Sequence, residues 1–144
     1  MNMEVQASYD PGADITCQHT AGTTGGRGVS VPASRNSGGP VGISDSGDGI
    51  LVVTNPTAGG AIFGVTSHDV AANGRVNVMR SPKVVPMECS AAINIGSEVM
   101  VAADGRVLTR VAGSTVIGRA LSASTGAGQF PQIELFSGGA LTLT

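Results

Sequence analysis

Apolar and polar residues alternate along much of this chain with a period of two, the spacing that puts successive side chains on opposite faces of a strand. Ile15 and Cys17 share one face of a short segment, Asp14 to Gln18, and Val29 and Val31 flank Ser30 in the same way. Ile50 to Thr54 is a continuous apolar run closed by Asn55-Pro56. Lys83 to Met87 is a shorter run whose Pro86 belongs at a sheet edge or bulge, because proline cannot donate to a ladder. Leu141 and Leu143 make a last strand. No segment carries a long helical stripe, and a single helical turn is expected near Ser90 to Ile93. The fold class that follows is all-β: a small Gly-rich β-sandwich or barrel-like domain with an extended N-terminal arm, long loops and little helix.

The sharpest local expectation is a hairpin. Val99, Val101, Val107 and Val111 surround Ala103-Asp104-Gly105. A two-residue Asp-Gly turn sets Val101 opposite Leu108, whereas a three-residue loop with Gly105 left-handed sets Val101 opposite Val107 and Val99 opposite Thr109. The second register keeps the valines on one face and Glu98 opposite Arg110 on the other, and it is the one expected. A longer-range pattern joins Ala61–Val78 to Thr115–Leu135. An apolar pair precedes Gly64 and Gly118, and Gly74 aligns with Gly128 at the same interval. One extra residue near Pro131 then brings Val78 onto Ile133. This is the signature of a repeated strand–loop–strand unit.

Domain organisation follows from the breaks in pattern. Residues 1–12 read as an N-terminal arm ending in the Tyr9-Asp10-Pro11-Gly12 turn, and 13–144 as a single β-rich domain. Within it, 32–49 is a flexible loop of Ser, Gly and Pro. Asp45 and Asp48 lie in that loop without the alternating ligands and distal Glu of an EF-hand.

Composition thins the core. A chain of 144 residues fits one domain, yet it has no Trp, one Tyr and three Phe, so aliphatic side chains must supply most buried area. Twenty-two glycines raise the entropic cost of ordering the backbone. Together these point to stability drawn partly from subunit contacts. Net charge is −2 with eight dispersed basic residues, and stacking aromatics are nearly absent, which argues against a nucleic-acid surface. No run approaches a membrane span, and the N-terminus lacks the plan of a signal peptide, so cytoplasmic synthesis is expected.

Candidate chemistry is sparse. Cys17 and Cys89 read as reduced, buried thiols, and Cys17-Gln18-His19 supplies only two soft ligands, too few for zinc. The glycines of Thr20–Gly28 lack the Lys-Ser/Thr of a phosphate loop. Ser67-His68-Asp69 holds the three residue types of a nucleophilic relay. Adjacent residues fan apart, so Asp69 is expected instead to accept from backbone amides in its own loop. No catalytic residue, cofactor, metal or small-molecule substrate is expected.

Several short motifs, in order, resemble the phage capsid cement or decoration proteins, also called head stabilisation proteins. They are Tyr9-Asp10-Pro11-Gly12 with Ile15-Thr16, Gly25-Gly26-Arg27 before Val29-Ser30-Val31, and Phe63-Gly64-Val65 with His68-Asp69-Val70. Gly74-Arg75-Val76, Ile95-Gly96-Ser97-Glu98-Val99, Ile117-Gly118-Arg119-Ala120 and Ile133-Glu134-Leu135 complete the set. The resemblance implies a β-rich virion protein, commonly a homotrimer, that binds the outer surface of a bacteriophage capsid. There it bridges neighbouring subunits of the major capsid protein lattice, with no nucleic acid or membrane as partner. In the arm, Val5, Tyr9 and Pro11 are the expected capsid contacts, Tyr9 because a tyrosine offers large area with few rotatable bonds. A small surface adhesion or carbohydrate-binding β-module is the competing reading, disfavoured by the shortage of aromatic platforms.

Overall fold

The computed structural model describes residues 14–31, 51–80 and 83–136, and the backbone of 141–142. The chain is all-β, with no helix among the described residues. Twelve strands run in order: β1 (Asp14–His19), β2 (Gly28–Val29), β3 (Leu51–Val53), β4 (Gly64–Thr66), β5 (Arg75–Met79), β6 (Lys83–Pro86), β7 (Glu98–Val101), β8 (Val107–Thr109), β9 (Thr115–Val116), β10 (Gly118–Ala120), β11 (Gln132–Leu135) and β12 (Leu141–Thr142). The helical turn expected near Ser90 does not form. Ser90 and Ala91 bend instead, and Ile93 pairs with Ser124 in an antiparallel bridge.

Two five-stranded sheets carry the fold, ordered β2-β4-β5-β1-β3 and β6-β11-β10-β7-β8, and β9 pairs with β12. Each five-stranded sheet closes on itself. In the first, β3 lies parallel to β1, and its continuation at Thr54 bridges Ser30 beyond β2. In the second, β8 pairs with β7 while Val107 bridges Cys89, beyond β6, in parallel. Closure leaves few open edges, which suits a Gly-rich chain prone to edge pairing.

The two barrels repeat one pattern of strands and main-chain bonds. Thr20 N donates to Val53 O and Ser90 N to Val107 O; Gly26 N donates to Thr66 O and Gly96 N to Ala120 O. Phe63 N to Val29 O is matched by Ile117 N to Val99 O, and Ser67 N to Asn77 O by Leu121 N to Gln132 O. The expected repeat is therefore present and larger than the sequence suggests, since it includes β1–β3 and β6–β8. One correction concerns its register. Asn73 N donates to His19 O as Gly128 N does to Cys89 O, so Gly128 corresponds to Asn73, and the extra residue falls between Ser124 and Gly128 rather than near Pro131. Asn73 (φ 63°) and Gly128 (φ 87°) share the left-handed conformation. Asparagine tolerates it because its short polar side chain bonds locally.

The hairpin adopts the expected register, Val101 opposite Val107 and Val99 opposite Thr109, with Gly105 at φ 89°. Glu98 and Arg110 meet on the other face, Arg110 Nε lying 3.0 Å from Glu98 Oε1. Val111 departs from the pattern, since it is exposed while the other three valines are buried.

Small aliphatic side chains fill both barrels. Cys17, Val29, Val53, Val76 and Val78 form the first core, with Ile15, Leu51, Phe63 and Val70 packed against it. The second core gathers Val85, Met87, Cys89, Ile93, Val99, Val101, Val107, Ile117, Ala120, Ile133 and Leu135. Val65 of the first repeat belongs to this second core, and Ile62 and Met79 pack on it. At roughly 1.5–3 kcal/mol for each large aliphatic chain buried, these three tie the repeats together substantially.

Candidate functional site

The seam between the repeats holds the most developed polar geometry of the described surface. Main-chain bonds cross it at Glu88 N to Gly26 O (2.9 Å), Gly28 N to Gly105 O (2.8 Å) and Gly59 N to Val101 O (2.8 Å). Arg27, in the bend before β2, reaches over the same line. Its Nη2 and Nε lie 3.0 and 3.2 Å from Glu88 Oε1, and its Nη1 donates to Asp104 O at 3.3 Å. A guanidinium shared between a carboxylate and a carbonyl is held in one orientation by its planar fork. Arg27 is thus a structural clamp.

This clamp forms part of the wall of a shallow cleft of about 900 Å³, lined from the first repeat by residues that include Gly25, Gly26, Ser67 and His68, and from the second by Pro86, Glu88 and Phe130. Phe130 is half exposed and lies directly over Gly26, where an added Cβ would meet its ring at 2.9 Å. Ser67 Oγ and His68 Nδ1 are 3.0 Å apart at the rim. Asp69 does not orient that histidine. Its Oδ1 accepts from Gly25 N at 2.8 Å, binding the β4–β5 loop to the β1–β2 bend rather than to its own loop as expected. The three residue types meet in sequence without forming a relay.

Cys17 and Cys89 are both free and buried. Burial pushes the Cys17 thiol up to about 11, so it stays protonated and inert at neutral pH. His19 is fully buried on the same strand; its Nδ1 accepts from Ala21 N at 3.2 Å, which leaves the proton on Nε2. Nε2 has no hydrogen-bond partner. Burial drives the imidazole below its ordinary pKa, opposed in part by the nearby Asn55 side chain. Among the described residues no three of His, Cys, Asp and Glu gather where they would hold a metal ion.

The buried imidazole gives a testable pH dependence. The native state keeps His19 neutral, so the unfolded chain takes up a proton first as pH falls below about 6.5, the ordinary histidine value. Stability from this group is full above that pH and declines below it, by at most about 1.4 kcal/mol per pH unit. The melting temperature is expected to fall between pH 7.5 and pH 5. In His19→Gln the fall should be smaller; an equal fall in both proteins would assign it elsewhere.

The expected contacts Val5, Tyr9 and Pro11 lie outside the described residues, as do 32–49. Sequence reading did not single out Phe130, Glu88 or the Arg27 clamp. The available signal was an aromatic in a chain with few of them, but the pairing of Arg27 with Glu88 spans 61 residues and no local pattern announces it.

A family model described as phage cement protein matches residues 7–135 of this chain. Among curated proteins none matches. Among solved structures, the chain is similar to the head fiber gp8.5 N base of bacteriophage phi29, with 17% identity over 85% of this chain and 92% of that one and a TM-score of 0.65. At that identity the likeness speaks to fold alone.

Proposed function

This chain belongs to the phage cement protein family, and we propose that it binds the outer surface of an assembled phage capsid and stabilises it by bridging neighbouring major capsid protein subunits. Family membership makes it a capsid-associated structural protein of the virion. The observation that carries the finer reading is the extent of the match, which covers both repeats and the seam between them. Closed barrels with small cores suit such a role: the chain presents a rigid surface and needs no catalytic set. Weak contacts repeated over a symmetric lattice add through high effective concentration.

In this reading the protein acts as a homotrimer and its N-terminal arm, with Val5, Tyr9 and Pro11, lies along a capsid subunit. Binding of purified protein to capsids stripped of it, followed by their resistance to heat, tests the role. Deleting Met1–Ser8 is expected to weaken that binding roughly tenfold, about 1.4 kcal/mol, with the melting temperature of the free protein unchanged. Tyr9→Ala should give part of the loss. Unaltered affinity of the truncated protein would exclude the arm as a contact. Absence of any binding by the intact chain would exclude the cement role itself.

A further inference from the structure

One non-glycine residue among those described holds a left-handed backbone, and it stands in a chemically labile pair. Asn73 has φ 63°, and Gly74 follows it. It is the only asparagine of this chain that precedes a glycine. Asparagine amides are thermolabile, and here the next peptide nitrogen can attack the amide because glycine has no side chain to bar its approach. Gly74 N gives up its hydrogen to water or hydroxide and bonds to Asn73 Cγ. Ammonia leaves, and a five-membered succinimide closes. Water then opens that ring at either carbonyl, yielding aspartate or isoaspartate. The sum is one water taken up and one ammonia released, with nothing oxidised or reduced.

Three main-chain bonds oppose this reaction in the folded chain. Gly74 N donates to Ala71 O at 2.9 Å, Asn73 N to His19 O at 2.7 Å, and His19 N to Gly74 O at 3.1 Å. The first holds the attacking nitrogen with its hydrogen turned toward Ala71. The other two pin the Asn73-Gly74 pair from both sides onto the end of β1. A peptide unit is planar and moves as one piece, so bringing its nitrogen onto Asn73 Cγ breaks the first bond and strains the other two. Access by water is no obstacle, since Asn73 is exposed. Nor does the turn require the amide. In the second repeat Gly128 holds the same place, donates to Cys89 O as Asn73 does to His19 O, and is followed by Gln129.

We infer that Asn73 is a deamidation site controlled by the fold, protected while its turn is docked on β1 and reactive when the turn lifts away. The conversion is one-way. Isoaspartate runs the main chain through Cβ, which inserts one more backbone atom between the Cα of residue 73 and Gly74 N. The two groups that meet His19 N and His19 O then lie too far apart along the chain to keep both bonds. The turn cannot dock again as it was. β5 begins at the next residue, Arg75, so the loss falls on its pairing with β1 at Gln18.

The test compares the intact protein with the same protein unfolded in urea, both held at one mildly alkaline pH and one temperature. Peptide mass spectrometry locates the conversion, and labelling with an isoaspartyl methyltransferase counts the rearranged product. Asn73 should convert at least about tenfold more slowly in the folded protein, because local opening limits the reaction. Equal rates would overturn the protection, and an unfolded chain that keeps its amide would overturn the site. The converted protein, refolded, should melt below fresh protein. Asn73→Asp carries the acid without the extra backbone atom and should melt near wild type. Asn73→Gly, taken through the same treatment, should melt as it did before. A converted protein that melts like Asn73→Asp, or an equal drop in treated Asn73→Gly, would overturn the one-way step.

Discussion

Gly118→Ala is expected to destabilise the protein by about 3 kcal/mol and to lower its melting temperature by roughly 10 °C, although it adds a single methyl group. Gly118 opens β10, and a Cβ there would overlap Glu134 O on β11 and approach Ile133 Cγ2 to 3.0 Å. Gly64, its counterpart at the start of β4, faces the same obstacle, with Met79 O and Val78 Cγ1 each 2.5 Å from the added atom. In both places the obstacle is the backbone of the paired strand, which cannot turn aside as a flexible side chain would. Relief requires the strands to part, and that opens a barrel whose core is made of Val and Ile. Gly64→Ala should cost a similar amount. Gly126→Ala is the control: its Cβ would meet nothing within 4 Å and its φ is not left-handed. That substitution should stay within about 0.5 kcal/mol of wild type. Thermal melts of the three variants check the claim, and equal melting for Gly118→Ala and Gly126→Ala would refute it.

That pair of glycines also shows how much was legible in advance. Gly64 and Gly118 stood out because each follows an apolar pair and opens a strand, and both requirements are local. The Val99–Val107 hairpin was legible for the same reason, since period-two alternation and a left-handed glycine leave one register that buries the valines. Gly74 and Gly128 misled. They share a residue type, but the left-handed turn position in the first repeat belongs to Asn73, so matching letters placed the extra residue too late. Pairings remote in sequence gave no signal. Nothing near Ile15 or Leu51 announces that β1 and β3 run parallel, and Val65 is apolar on an outward face because a second barrel covers it. The seam of Arg27, Glu88 and Phe130 was hidden likewise, because it exists only once the two repeats are docked. The family, by contrast, was accessible from the order of short Gly-centred motifs, and the matched region of 7–135 spans them.

Gly105 is where the docked structure changes a substitution that sequence alone would grade as mild. Its φ of 89° by itself disfavours valine strongly and asparagine much less, since asparagine visits left-handed backbone. The seam removes that allowance. A Cβ at Gly105 would lie 2.6 Å from Gly28 O, 3.1 Å from Gly28 N and 3.0 Å from Arg27 Cβ, so any side chain pushes the hairpin off the first repeat. The movement would break the bond from Gly28 N to Gly105 O and draw Asp104 O away from Arg27 Nη1. Gly105→Asn and Gly105→Val should therefore both lose about 3–5 kcal/mol, the range reached when backbone strain and overpacking coincide. Gly113→Asn separates the two causes. Gly113 has nearly the same φ, 83°, but nothing within 4 Å of its Cβ, so it meets only the conformational cost, about 1 kcal/mol. Denaturant unfolding of Gly105→Asn beside Gly113→Asn decides the matter. A wide gap places the cost in the contact between repeats, whereas two equally mild losses would mean that the hairpin tip does not press on Gly28.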